Sequence, residues 1–194
     1  MYSYHPKHYD MFPILISEFD ISGYDKESDV IDYLLSNPEG LTVPVLHGDA
    51  IRTYDLDLLN KFPALKNAFQ SCIDIHIEKA GLVPLTIGPS WAAIYENESY
   101  IERHRHAGRS MISGAYYPYI ESGSSSLLFD NPVEALKPTD VSSENITMYN
   151  SQGTQIFVSP GSLLLFPSWM YHYTKKNDSG KRIVVSFDTK NKHD

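Results

Sequence analysis

Beyond residue 82 the chain breaks into short runs rich in Ile, Val, Leu, Tyr and Phe, each closed by Gly, Pro, Asn or Ser, with no helical repeat between them. Residues 90–95, 111–119, 126–129, 155–158, 162–166 and 182–187 are predicted as strands. A doubly wound parallel sheet needs a helix between successive strands, so this texture argues against one and favours a sandwich or jelly roll. Gly123-Ser124-Ser125-Ser126 reads as a hairpin loop between two of the runs.

The stretch before residue 82 is different. Residues 25–36 carry Val30, Ile31, Leu34 and Leu35 at helical spacing, and Asn37-Pro38 stops the pattern. Residues 63–80 form a longer predicted helix, with Pro63 in its first turn, Gly81 after its end, and Leu65, Phe69, Cys72, Ile73 and His76 along one stripe. The expectation is an α+β protein, mainly β, with N-terminal helices packed on one sheet. Its 194 residues suit a single domain, with 1–82 as a helical and loop front end and 83–190 as the β core.

Charge and cysteine narrow the function. Sixteen Lys and Arg against 24 Asp and Glu leave a formal charge of -8, so long nucleic acid is not an expected partner. A single cysteine, Cys72, makes no internal disulfide and no thiolate zinc site, which fits a reducing, cytoplasmic setting. No apolar run reaches about 18 residues, and the N-terminus shows no basic segment leading into an apolar one, so neither a membrane span nor a secretory leader is expected.

One constellation points to chemistry. His104 and His106 stand at i and i+2, which on an extended chain puts both imidazoles on one side, within reach of one metal ion. A third ligand has to come from elsewhere, and His172 is the natural candidate. It follows the apolar run 162–166, which Pro160-Gly161 opens and Pro167-Ser168 closes. Ten residues on, Arg182 opens the otherwise apolar Arg-Ile-Val-Val-Ser-Phe, where a guanidinium needs an anionic partner, a carboxylate by the match to its planar fork. Each part has a blander reading: a solvated His pair, a satisfied buried His172, an arginine paired with some surface acid. The joint pattern is much rarer than its parts.

Three segments carry a resemblance: SWAAIYENESYIERHRHAGRSMISGAYYPY, LLFDNP and SPGSLLLFPSWMYHYTKKNDSGKRIVVSF. Together they resemble a family of non-haem Fe(II), 2-oxoglutarate-dependent oxygenases of bacteria and their viruses. The resemblance covers roughly residues 88–188 and touches residues 1–80 only loosely. It implies a double-stranded β-helix (a form of jelly roll) with Fe(II) at the mouth between its sheets. It implies His104, His106 and His172 as metal ligands, and Arg182 as partner of the distal carboxylate of 2-oxoglutarate, the co-substrate alongside O2. The implied reaction releases succinate and CO2 and hydroxylates an unidentified substrate. In the wider superfamily a carboxylate stands two residues after the first His, where this chain has His106. Were a carboxylate required, Asp130 would be the first to test and Glu102 the next. Asp188, where the family is expected to carry Asn, reads as peripheral. Ile94, where a polar residue is common, weakens the case for 90–95 as a ligand-binding strand.

Alternation puts Arg182, Val184 and Ser186 on one face of the last strand, so Ser186 is expected to share the keto-acid carboxylate with Arg182. Ser113, Ala115 and Tyr117 share a face of 111–119, so a Ser113 or Tyr117 hydroxyl is expected to complete that carboxylate's hydrogen bonds. Tyr116 and Tyr117 read equally well as core or rim aromatics. Trp91 and Trp169 read first as packing residues. Tyr171 and Tyr173 read as lining the mouth or as surface residues. His5, His8, His47, His76 and His193 read as silent, with His47 at most bordering the mouth. Two rivals remain at this point: a cupin-like metal enzyme without 2-oxoglutarate, and a jelly-roll binding or structural module. The partner is a small-molecule or peptide substrate, and a homodimer stays open.

Overall fold

The structure is a computed structural model that describes residues 6–22, 27–37, 43–44, 48–53, 56–106, 108, 110–133 and 146–192. The helix expected over 25–36 runs as α1, Glu27–Ser36, its first two predicted positions lying outside the described residues. The second helix, α2, spans Pro63–Ala80 and ends on Gly81 in the left-handed conformation (φ 67°). A 3-10 turn, Leu58–Lys61, leads into α2 and sinks Leu58 and Leu59 into the core.

Strands supply the rest. They are β1 (Ser17–Asp20), β2 (Val43–Pro44), β3 (Ile51–Arg52), β4 (Leu85–Tyr95), β5 (Ile112–Ile120), β6 (Leu127–Asp130), β7 (Gly153–Ile156), β8 (Ser162–Pro167), β9 (His172–Tyr173) and β10 (Arg182–Asn191). A seven-stranded sheet has the order β1-β8-β5-β10-β4-β3-β2, and a three-stranded sheet the order β7-β6-β9. Every named pairing is antiparallel. The front end is therefore more than helices and loops, because β1, β2 and β3 join the large sheet. At two to four residues each they are too short for alternation to show in the sequence.

The large sheet is buried on both faces, and residue parity sorts the two cores. Leu163, Leu165, Ile183, Val185 and Phe187 face the helices with Phe69, Ile73 and Leu34. Leu164, Phe166 and Val184 face the small sheet with Leu127 and Phe129. The expected packing of the N-terminal helices on one sheet is thus observed. Among the described residues no helix is long and apolar enough to cross a membrane.

Two irregularities tune this sorting. Between Phe187 and Thr189 the β10–β4 register advances from Ser90 to Ile87, so β4 carries one extra residue at Gly88-Pro89. Between Ile183 and Val185 the β10–β5 register likewise skips at Tyr117-Pro118. Each bulge holds a proline, which cannot donate to a ladder and is tolerated there. The β4 bulge flips parity: Leu85 and Ile87 join the helix-side core before it, Ala92 and Ile94 after it. Trp91, Ala93 and Tyr95 are thereby turned toward the space between the sheets.

Candidate metal centre

The mouth between the sheets gathers the histidines from segments far apart in sequence. β9 pairs with β6, Phe129 opposite His172. His104 and His172 then bridge through their backbones: His104 N–H donates to the His172 carbonyl at 3.0 Å, and His172 N–H donates back at 2.9 Å. His106 is anchored by its own N–H, which donates to the Ser168 carbonyl at 2.8 Å. The imidazole centroids lie 4.3 Å (His104–His172), 5.2 Å (His104–His106) and 5.2 Å (His106–His172) apart. One ring nitrogen from each falls within 4.8 Å of the others.

Outer contacts assign the tautomers. His104 Nδ1 lies 2.8 Å from the Glu102 carbonyl, and His172 Nδ1 lies 3.0 Å from the Met170 carbonyl. A carbonyl only accepts, so in both neutral rings Nδ1 carries the proton and Nε2 the lone pair. His106 Nδ1 lies 2.8 Å from Asp188 Oδ1, with the same consequence. Such hydrogen bonds orient metal-ligating imidazoles. His172 is 5% exposed. Burial, and then the nearby His104, pushes its pKa down to about 3, so the ring keeps its lone pair at neutral pH.

The second element of the site is Arg182, 1% exposed. Its register sets it between Tyr95 on β4 and Ile120 on β5. Nη1 donates to the Ser125 carbonyl, and the guanidinium carbon stands 4.3 Å from the Tyr95 ring centroid. Nε and Nη2 are buried without a hydrogen-bond partner, and no carboxylate among the described residues forms an ion pair with the side chain. Burial raises the phenol pKa of Tyr95 and of Tyr117, while the Arg182 charge pulls both back. Arg182, Tyr117, Ser186 and Ser113 line one cleft with the three histidines, Trp91 and Tyr95.

Several expectations need correction. Asp130 is not with the histidines: its carboxylate takes the Arg103 guanidinium. Glu102 serves through its backbone carbonyl rather than its side chain. The histidines are the one cluster of potential metal ligands among the described residues, and no carboxylate belongs to it. Asp188 is not peripheral, since Oδ1 accepts from His106 and from the Ser113 hydroxyl at 2.6 Å. Ser113 lines the cleft, but its hydroxyl is engaged by Asp188 and by Ser168 at 2.8 Å. Ile94 does not weaken β4 as a site strand, because it points to the helix-side core.

Trp91 lines the site instead of only packing, with its ring 5.7 Å from that of His106. Tyr95 lines the site too, and its only signal in the sequence is its place two and four residues on from Ala93 and Trp91 along the strand. Tyr171 and Trp169 lie elsewhere: Tyr171 stacks under the Arg103 guanidinium at 3.6 Å, and Trp169 borders a separate surface groove with Met111 and Ile14. Of the histidines read as silent, His76 is buried and hydrogen-bonded to Ser17 Oγ at 2.8 Å, while His5, His47 and His193 lie outside the described residues.

A donor set of three neutral imidazoles suits a divalent transition metal such as Fe(II). A buried guanidinium with two unused donors suits a carboxylate brought from outside. Fold and site together define a double-stranded β-helix with three imidazoles and a buried guanidinium lining one cleft.

Residues 89–188 match the family described as "Putative 2OG-Fe(II) oxygenase", and the chain belongs to that family. It is an oxygenase that uses Fe(II), 2-oxoglutarate and O2. No curated protein matches the sequence. Among solved structures, the fold is similar to a Pseudomonas putida prolyl-4-hydroxylase (TM-score 0.61, 12% identity, 92% of this chain and 94% of that one). It is similar to the viral collagen prolyl hydroxylase of Paramecium Bursaria Chlorella virus-1, solved with 2-oxoglutarate (TM-score 0.56, 14% identity, 90% and 94% covered). A third is HygX of Streptomyces hygroscopicus, solved with nickel, 2-oxoglutarate and hygromycin B (TM-score 0.56, 14% identity, 92% and 84% covered). At these identities the likeness speaks for the fold.

Proposed function

We propose that His104, His106 and His172 hold Fe(II) through Nε2, that Arg182 receives the distal carboxylate of 2-oxoglutarate, and that the enzyme hydroxylates a C–H bond of a small-molecule or peptide substrate. The observation that carries this reading is the shared cleft: three imidazole nitrogens within 4.8 Å of one another and, in the same lining, a buried arginine with two unpaired donors. When bound, iron supplies O2 activation coupled to oxidative decarboxylation of the keto acid, which yields succinate and CO2.

The chain's own residues bind, orient and exclude water. Arg182 offers Nε and Nη2 to one carboxylate, and its charge stands where Tyr95 and Tyr117 shut out solvent, so the attraction is screened little. Tyr117 and Ser186 present hydroxyls on the same lining and complete the carboxylate's hydrogen bonds. Ser113 acts one step back, through Asp188 and His106. Phe129 and Phe166 pack against the His172 ring, at centroid distances of 6.1 and 4.9 Å, and keep it out of water.

The cupin-like and non-enzymatic alternatives have no comparable support. The test is succinate release that requires both Fe(II) and added 2-oxoglutarate, alongside anaerobic metal binding by H104A and H172A. Loss of metal in both variants is expected; retained metal and turnover in either would remove that residue from the ligand set.

A further inference from the structure

An all-imidazole cluster leaves the +2 charge of a bound metal uncancelled, whereas a triad with one carboxylate leaves +1. A carboxylate, that of Asp188, does stand behind the cluster, hydrogen-bonded to the His106 ring. Its place on β10 is opposite Ser113 on β5, and β4 bulges beside it at Gly88-Pro89. Oδ1 accepts from both His106 Nδ1 (2.8 Å) and Ser113 Oγ (2.6 Å). Ser113 is in turn hydrogen-bonded to the fully buried Ser168, and Ser168 Oγ lies 2.9 Å from Ser110 Oγ. Ser110 accepts from the Thr189 N–H at 3.0 Å, next in chain to Asp188. The hydroxyl chain thus closes back on the same strand and fixes the carboxylate from two sides. The Nδ1 atom of His106 meets a carboxylate, whereas those of His104 and His172 meet backbone carbonyls.

We propose that Asp188 is a positioning residue that delivers through His106 the negative charge the ligand set itself lacks. The proposal rests on the three-histidine reading above. A carboxylate behind an imidazole raises its basicity and fixes its orientation, and loss of such a partner costs on the order of 10–100-fold in metal affinity. The same charge, some ångströms from the metal, opposes binding of an anionic co-substrate. The two effects have opposite signs, and this separates a charge role from a purely structural one.

The decisive variant is Asp188→Asn, whose amide oxygen still accepts from His106 but carries no charge. Full-length wild type, D188N and H104A are titrated anaerobically with Fe(II), and the metal-saturated proteins then with 2-oxoglutarate, by calorimetry; circular dichroism checks folding. Expected for D188N is roughly 10-fold or weaker metal binding, with 2-oxoglutarate binding to the metal-loaded protein several-fold tighter than wild type. Unchanged metal affinity overturns the proposal, and so does parallel weakening of metal and keto acid. H104A is expected to lose the metal outright. If it keeps the metal, the three-histidine reading fails first, and the proposal about Asp188 goes with it.

Discussion

Replacing Arg182 by methionine is the most informative single change. Methionine keeps much of the buried volume and removes all the donors. A hydrogen bond to a charged group contributes about 1.5–3 kcal/mol, and Nε and Nη2 together offer two such bonds to a carboxylate. Losing both removes about 3–6 kcal/mol, on the order of 10²- to 10⁴-fold in the Kd for 2-oxoglutarate. The effect on the ligand-free protein runs the other way. Two buried, unpaired donors each cost about 1–3 kcal/mol, and the substitution relieves both while giving up the bond to the Ser125 carbonyl. These contributions largely offset, so the Tm of the ligand-free R182M protein should hold or rise by a few degrees. An arginine already satisfied within the fold behaves differently: breaking a buried pair costs about 3–5 kcal/mol, a Tm drop of about 6–20 °C for a chain of this size. Thermal melts with and without 2-oxoglutarate, plus anaerobic titration of the metal-loaded protein, measure both. A large Tm loss with 2-oxoglutarate binding intact would refute the anchor.

Three further outcomes follow from the geometry. Burial lowers the pKa of His76 below 6.5, so the unfolded chain binds the proton more readily and stability falls as pH drops below about 6.5; H76Q should flatten the difference in Tm between pH 7.5 and 5.5, and an unchanged slope would count against it. A Cβ on Gly114 would stand 2.2 Å from the Phe187 ring, so G114A should lose about 1–3 kcal/mol or more, with F187L recovering part of it in urea melts. Y117F should weaken 2-oxoglutarate about 3- to 10-fold in KM while leaving metal affinity unchanged, as expected for one neutral hydrogen bond; an effect on metal alone would move Tyr117 out of the keto-acid pocket.

Much of this architecture is legible in the chain itself. Side-chain parity within a strand is local, so Arg182, Val184 and Ser186 can be placed on one face, and Ser113, Ala115 and Tyr117 on another, from sequence alone. Helical spacing and a terminal glycine likewise locate α2. The histidine pair with a third candidate, and an arginine opening an apolar strand, point to a metal and an anion from the sequence alone.

Tertiary structure decided what depends on register between distant strands. The bulge at Gly88-Pro89 turns Trp91 and Tyr95 into the cleft, and no window on β4 alone records which residue of β10 it faces. Pairing Asp188 with Ser113 and bringing it to His106 joins segments more than 70 residues apart. Whether Arg182 meets an internal acid depends on where every other carboxylate ends up, and Asp130 ended on Arg103 instead. Periodicity assigns a side chain to a face; only the completed hydrogen-bond ladders choose its neighbours.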